Sequence, residues 1–183
     1  MNRYWEIRLN NCKAELERNH FDVFIAQTPF DAKEIVIDQI LPELKIQSVS
    51  WGDSLTLYST GVLEYFRDKT GIKLIETFGE KISREKSMER RRKAILTDLF
   101  FTGTNAVIES GILVNLDMIG NRVGGITFGP KYVIIMIGRN KIVQNLDEAM
   151  NRIKNTAAPA NAIRHAKKTP CTKTSYCMDC KSP

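Results

Sequence analysis

Apolar residues recur at Trp5, Leu9, Cys12 and Leu16, a spacing that marks one helix face, so residues 2–19 are predicted as an amphipathic helix. Cys12 on that face reads as a small buried hydrophobe. The run FDVFIAQ (21–27) has the length and apolar content of a short strand. Asp31, with Glu34 three residues on, has the form of a capping box. The helix it would open runs through Ile35, Ile37, Ile40 and Leu41 and ends near Pro42. IQSVSW (46–51) is the next predicted strand, and GDSLTLYSTGVLEYFRD follows as a helix broken at Gly61. GIKLIETF (71–78) reads as strand and SREKSMERRRKAILT (83–97) as helix. This alternation predicts an α/β fold, a mostly parallel sheet flanked by helices.

The second half changes rhythm. DLFFTG, NAVIES, GILVNLD and GGITFG are short and separated by Gly, Asn and Asp. YVIIMIG (132–138) is a predicted buried strand. Asn140 is placed to cap a helix carrying Ile142, Leu146, Ala149 and Ile153 on one face, which Pro159 ends or interrupts. The last fifteen residues contain little to bury and read as an irregular arm. The expected organisation is one α/β domain over 1–165 and a cysteine-containing arm over 166–183, with no internal repeat.

A length of 183 residues with 43% hydrophobic and 26% charged content suits one soluble domain with a substantial core. The first twenty residues carry charges throughout, and no stretch approaches the roughly 20 apolar residues that span a bilayer. The expectation is a cytoplasmic protein without a membrane partner. The net charge is +6, much of it from REKSMERRRK and RHAKKTPCTK. Glu85 and Glu89 can pair within the first run, and neither run interleaves aromatics that could stack bases. Solvated helix faces are therefore preferred to nucleic-acid binding, and the positive excess suits a small anionic ligand.

Parallel α/β sheets bind ligands outside the carboxyl ends of their strands, so the strand-to-loop junctions are the candidate sites. In SVSWGDSLTL, Gly52 permits close backbone approach, and Ser54 and Thr56 add hydroxyls; Asp53 either contacts the ligand or simply caps the helix. In FFTGTNAVIESG, Thr102, Gly103, Thr104 and Asn105 form a second candidate. Glu109 there could be a nucleophile or base at a cleft mouth, or an exposed hairpin residue, since ESG is good turn chemistry. Arg139, Asn140 and Lys141 follow a buried strand as a candidate anion site, with a surface turn as the plain alternative. Asn121 and Arg122 lie in a Gly-bounded loop. With only His20 and His165 available, histidine acid–base catalysis has little material.

Three of the four cysteines, Cys171, Cys177 and Cys180, fall within ten residues of the tail. Cys177 and Cys180 have the C-x2-C spacing that lets two thiolates face one metal. Zinc and iron–sulfur clusters usually take four protein ligands; Cys12 is a poor candidate for the fourth, and His165 could serve, although it precedes Cys171 in a predicted helical stretch.

SVSWGDSLTL, FFTGTNAVIESGILVNLDMIGNRVGGITFGP, GRNKIV and RHAKKTPCTKTSYCMDCKSP together resemble the lactate-utilisation (LUD) domain family, in particular its stand-alone single-domain members. The resemblance implies a fold of the NagB/RpiA/CoA-transferase-like type. Gly52–Thr56 matches in place a ligand-binding turn of that superfamily, Gly103-Thr104-Asn105 its GAD turn, and Glu109-Ser110-Gly111 the Glu-Gly segment of its CoA transferases. Asn105 stands where an acid would be expected for isomerase chemistry, so that reaction does not carry over. If there is catalysis, the resemblance puts it on Glu109. It also implies that the chain continues past Pro183 to a further cysteine, which with Cys171, Cys177 and Cys180 would hold zinc or an iron–sulfur cluster; the 183-residue form would leave the arm empty, ill-ordered or partly disulfide-bonded. Two functions follow as expectations. One is an LUD-type protein binding a small anionic metabolite or nucleotide-like ligand, in lactate or organic-acid oxidation with an iron–sulfur redox partner. The other is a non-catalytic accessory subunit docking a partner through its basic faces or cysteine arm. A homodimer is compatible with both.

Overall fold

A computed structural model of the chain describes residues 3–68, 71–78 and 82–181. The helices and strands are, in order, α1 (Arg3–Arg18), α2 (Pro29–Glu34), β1 (Ser48–Trp51), α3 (Leu55–Thr60), α4 (Val62–Asp68), β2 (Lys73–Ile75), α5 (Arg84–Ala94), β3 (Leu99–Thr102), β4 (Ala106–Ile108), β5 (Ile112–Val114), α6 (Asn121–Thr127), β6 (Tyr132–Ile135), β7 (Ile142–Val143), α7 (Leu146–Arg152), α8 (Ala158–Arg164) and α9 (Cys171–Thr174). The chain divides into two compact units. One comprises Phe24–Gly103 and Gly120–Ile137; the other comprises Met1–Val23, Thr104–Ile119 and Gly138–Pro183.

The first unit holds a four-stranded, wholly parallel sheet in the order β2-β1-β3-β6. This is the predicted mostly parallel α/β sheet. Its central strands β1 and β3 are buried on both faces, as in a parallel sheet flanked by helices. Val49, Trp51, Leu99 and Phe101 are each 1% exposed or less, and they pack with Leu57, Leu63 and Phe66 from α3 and α4. Gly61 separates those helices as predicted, in the left-handed conformation with φ 70°. Asp98 fastens the amino edge of the sheet. Its carboxylate accepts hydrogen bonds from the Gln47 and Ser48 backbone N–H groups at 2.8 and 3.0 Å and pairs with Lys131 Nζ at 2.7 Å.

Several local predictions are corrected. FDVFIAQ forms no strand, since an apolar run needs a neighbouring strand to complete its hydrogen bonds and this one has none among the described residues. The capping box lies three residues earlier: Thr28 accepts from the Asp31 N–H at 3.1 Å, and the Asp31 carboxylate accepts from the Thr28 N–H at 3.0 Å. Pro29 at the first helical position favours that register. The supposed Gly-bounded loop around Asn121 is helix α6. Gly125 permits it, because a side chain there would meet the Phe100 ring at 2.7 Å.

The second unit holds a three-stranded sheet in the order β5-β4-β7, with β4 antiparallel to β5 and parallel to β7. Ala106, Ile108 and Val143 pack against Ala149 of α7. Asn145, not Asn140, caps α7, and its side chain accepts from the Glu148 N–H at 2.9 Å. Ile142 belongs to β7 and not to the helix. Pro159 does not end the helical path. A widened π turn at Ile153–Ala157 precedes it, and the path continues as α8 to Arg164. The arm is fastened to this turn: Cys177 N–H donates to the Lys154 carbonyl at 2.9 Å, and Lys154 pairs with Asp179 at 2.7 Å.

Candidate functional site

In the four-stranded sheet, the connection leaving β1 leads to β2 on one side, while the connection leaving β3 leads toward β6 on the other. The carboxyl ends of β1 and β3 therefore flank a topological switch point, where open α/β sheets form a crevice. Gly52, Asp53 and Ser54 follow β1, and Gly103 follows β3. The two segments interlock closely. The Gly52 N–H donates to the Phe101 carbonyl at 2.8 Å. A Cβ on Gly52 would lie 2.9 Å from Thr102 Oγ1, and one on Gly103 would lie 2.5 Å from Ser54 Oγ. Glycine is needed at both positions for this approach.

The hydroxyls at this edge face inward. Ser54 is buried and caps α3 by accepting from the Leu57 N–H at 3.3 Å, so the cap is Ser54 and not Asp53. Thr102 is fully buried. Asp53 and Thr56 are half-buried and are the polar side chains of the group that still reach solvent. Asn121, also half-buried, opens α6. Two hollows of the same unit lie elsewhere. One of about 420 Å³ is lined by Lys45, Gln47, Asp98 and Lys131 at the amino edge of the sheet, and one of about 350 Å³ by Lys33, Glu64, Tyr65 and Asp68.

In the three-stranded sheet, Thr104 and Asn105 run into β4, and Arg139–Lys141 runs into β7. Because β4 and β7 are parallel neighbours, both run-ins stand at the same sheet edge. The buried Thr104 hydroxyl lies 3.0 Å from the Ala106 carbonyl, 3.2 Å from that of Val114 and 3.2 Å from Asn115 Oδ1. Asn105 Oδ1 accepts from the Leu116 N–H at 2.9 Å. Thr104 and Asn105 thus tie the end of β5 to the start of β4. Arg139 and Asn140 are exposed in a 3-10 turn closed by the Lys141 N–H on the Gly138 carbonyl at 2.9 Å.

Glu109 stands at the opposite end of β4. It opens the β4–β5 hairpin turn, in which Gly111 adopts φ 84°. The plainer of the two sequence readings, a hairpin residue, describes its backbone. Its carboxylate pairs with Arg8 of α1, whose Nε donates to Oε1 and whose Nη2 forms an ion pair with the same oxygen. Arg8 also donates to the Tyr4 hydroxyl at 2.9 Å and lies 5.3 Å from the Trp5 ring centre. Burial opposes the Arg8 charge, but the bonds to Glu109 and Tyr4 outweigh it and raise its pKa. Burial, and then the Glu109 charge, push the Cys12 thiol up, so Cys12 is the neutral buried residue expected. Sequence reasoning did not single out Tyr4 or Arg8 and took Trp5 only for the apolar helix face, so this cluster around Glu109 was not foreseen. The one available signal was a basic residue three positions from Trp5 on the same helix side.

All four cysteines are free thiols. Cys171 Sγ lies 3.1 Å from Thr169 Oγ1, Cys177 Sγ accepts from the Asp179 N–H at 3.4 Å, and Cys180 is exposed. Among the described residues no three His, Cys, Asp or Glu side chains gather where they could hold one metal ion. The side chains present therefore do not by themselves fit a four-ligand zinc or iron–sulfur site. Nor is any helix among the described residues long and apolar enough to cross a membrane.

No curated protein and no solved structure matches the chain. A family model, the LUD domain, matches residues 9–183. That span takes in both sheets, the α1 face that carries Cys12, and the cysteine arm. The parallel α/β sheet and the segments that resemble this family are therefore parts of a single match, and the chain belongs to the LUD domain family, which is associated with lactate utilisation.

Proposed function

We propose that the protein binds a small anionic metabolite or nucleotide-like ligand at the carboxyl edge of the four-stranded sheet and serves organic-acid oxidation, with an iron–sulfur redox protein taking the electrons. The observation that carries this reading is the β1/β3 switch point, where Gly52 and Gly103 keep the two loops within van der Waals contact. The excess of +6 over the whole chain favours an anion. Asp53 and Thr56 are the side chains positioned to read it: Thr56 as a donor, Asp53 as an acceptor for a ligand hydroxyl or as a brake on ligand charge.

A thermal-shift screen of L-lactate, sugar phosphates, CoA and nucleotides tests the reading. One class is expected to raise Tm in the way that binding to the folded state requires. Thr56→Val should reduce that shift, and Asp53→Asn should change it in the direction that separates the two roles. No shift with any class, or a shift untouched in both variants, would refute the site.

A second reading, an accessory subunit docking an acidic partner, has one observation in its favour. Helix α5 carries Arg84, Lys86 and Arg90–Lys93, and of its residues only Ala94 is buried. Reversing Arg92 and Lys93 to Glu should abolish such docking and leave the ligand-induced Tm shift intact.

A further inference from the structure

Arg18, Arg67 and Arg92 each have a carboxylate within reach, at 2.7, 2.8 and 3.7 Å. Arg139 does not, although it lies in a well-held part of the second unit. Its guanidinium carbon is 5.3 Å from the centre of the Trp5 ring, and it has no ion pair among the described residues. The same indole carries Arg8, also at 5.3 Å. The two cations differ in what they face. Arg8 is paired with Glu109, whereas Arg139 is exposed and has no carboxylate partner among the described residues.

The surroundings limit the motion of Arg139. The 3-10 turn that holds it is closed by a backbone hydrogen bond and continues directly into β7. The indole supports one face of the guanidinium through a cation–π contact. The Arg8–Glu109 pair holds the segment of α1 that supplies Trp5. An arginine fixed in this way has already lost side-chain freedom that binding would otherwise cost. Its planar fork of donors matches the paired oxygens of a carboxylate or a phosphate. Asn140, exposed beside it, adds a carboxamide donor without a side-chain partner among the described residues.

We propose that Arg139, seated on Trp5, is the binding group of an oxyanion site in the second unit, recognising a carboxylate or phosphoryl group with Asn140 as an accessory donor. Trp5, Arg8 and Glu109 are positioning residues in this site. The inference stands on its own observations and does not rest on the switch-point reading of the other unit.

The chain has two tryptophans; Trp51, 1% exposed, adjoins the switch-point loop of the other unit, so an ion-induced emission change is assigned to Trp5 by its loss in Trp5→Phe. The full chain is titrated with sodium acetate and, separately, with sodium phosphate, at ionic strength held constant with sodium chloride. A saturable emission change with either ion is expected; acetate alone assigns the site to carboxylates and phosphate alone to phosphoryl groups. Arg139→Gln should weaken the apparent affinity by about tenfold or more, and Arg139→Lys should fall between. Trp5→Phe should abolish the optical signal while ion binding persists, at reduced affinity, by NMR line broadening of the same ions. An unchanged Tm in Arg139→Gln confirms that the variant is folded. Identical titrations of wild type and Arg139→Gln, or no saturable response beyond that to chloride, would overturn the proposal. Neither result would alter the Thr56 and Asp53 outcomes that test the switch-point site.

Discussion

At the strand ends of the four-stranded sheet, polar side chains turn inward. Ser54 caps a helix and Thr102 is fully buried beside a glycine that admits no side chain. At the edge of the three-stranded sheet, Thr104 and Asn105 are likewise consumed by hydrogen bonds, but Arg139 and Asn140 beside them are exposed and have no carboxylate partner among the described residues. A hydroxyl at a strand end is thus weak evidence for a ligand contact, because the backbone competes for it. An exposed guanidinium held against a ring without a counter-charge is better evidence, because the fold gives it no other use. The cores differ in the same sense: one sheet buries its central strands on both faces and the other is short, with Ile112 on its edge strand 53% exposed.

That difference should appear most strongly in stability. Phe101→Ala removes a fully buried ring from the four-stranded sheet and is expected to cost about 3–5 kcal/mol in urea denaturation. Ile108→Val in the three-stranded sheet should cost about 0.5–1.5 kcal/mol. A loss at either site well below its range would show that the residue is not packed as its burial indicates.

The two threonines sharpen the contrast. Thr104→Val leaves three nearby oxygens without their hydroxyl and should cost roughly 1–2 kcal/mol. Thr102 Oγ1 has only a long contact of 3.4 Å with the Gly103 carbonyl, so Thr102→Val should cost less than Thr104→Val. A larger loss at Thr102 would show that its hydroxyl has a partner of consequence, which would move it toward the ligand site.

A further effect, pH-dependent, belongs to the amino edge of the four-stranded sheet. The bond from Lys131, then the Gln47 N–H, hold the Asp98 carboxyl well below the usual carboxylate range. As pH falls, the unfolded chain takes up this proton first, so the contribution of Asp98 is complete above about pH 4 and is lost below it. Tm measured between pH 2 and 6 should decline by a few degrees more in wild type than in Asp98→Asn. Parallel curves would show that the staple contributes nothing to folding.

The sequence by itself determined what depends on near neighbours. The apolar spacing of Trp5, Leu9, Cys12 and Leu16 marks α1 because helix faces repeat locally. The Gly61 break and the βαβ alternation are legible for the same reason, and so is the arrival of candidate loops at strand ends. The family resemblance, carried by contiguous segments, holds across residues 9–183. Only the tertiary structure decided how the local options resolved. FDVFIAQ has strand character but no neighbouring strand; Asn140 and Asn145 are both possible caps, and the two-residue β7 takes Ile142 away from the helix. The partner of Glu109 lies 101 positions earlier in the chain, and Arg139 meets Trp5 from the opposite end of the sequence. Side-chain charge and rings carry no local period, so which guanidinium is neutralised and which stays available is settled only when distant segments pack together.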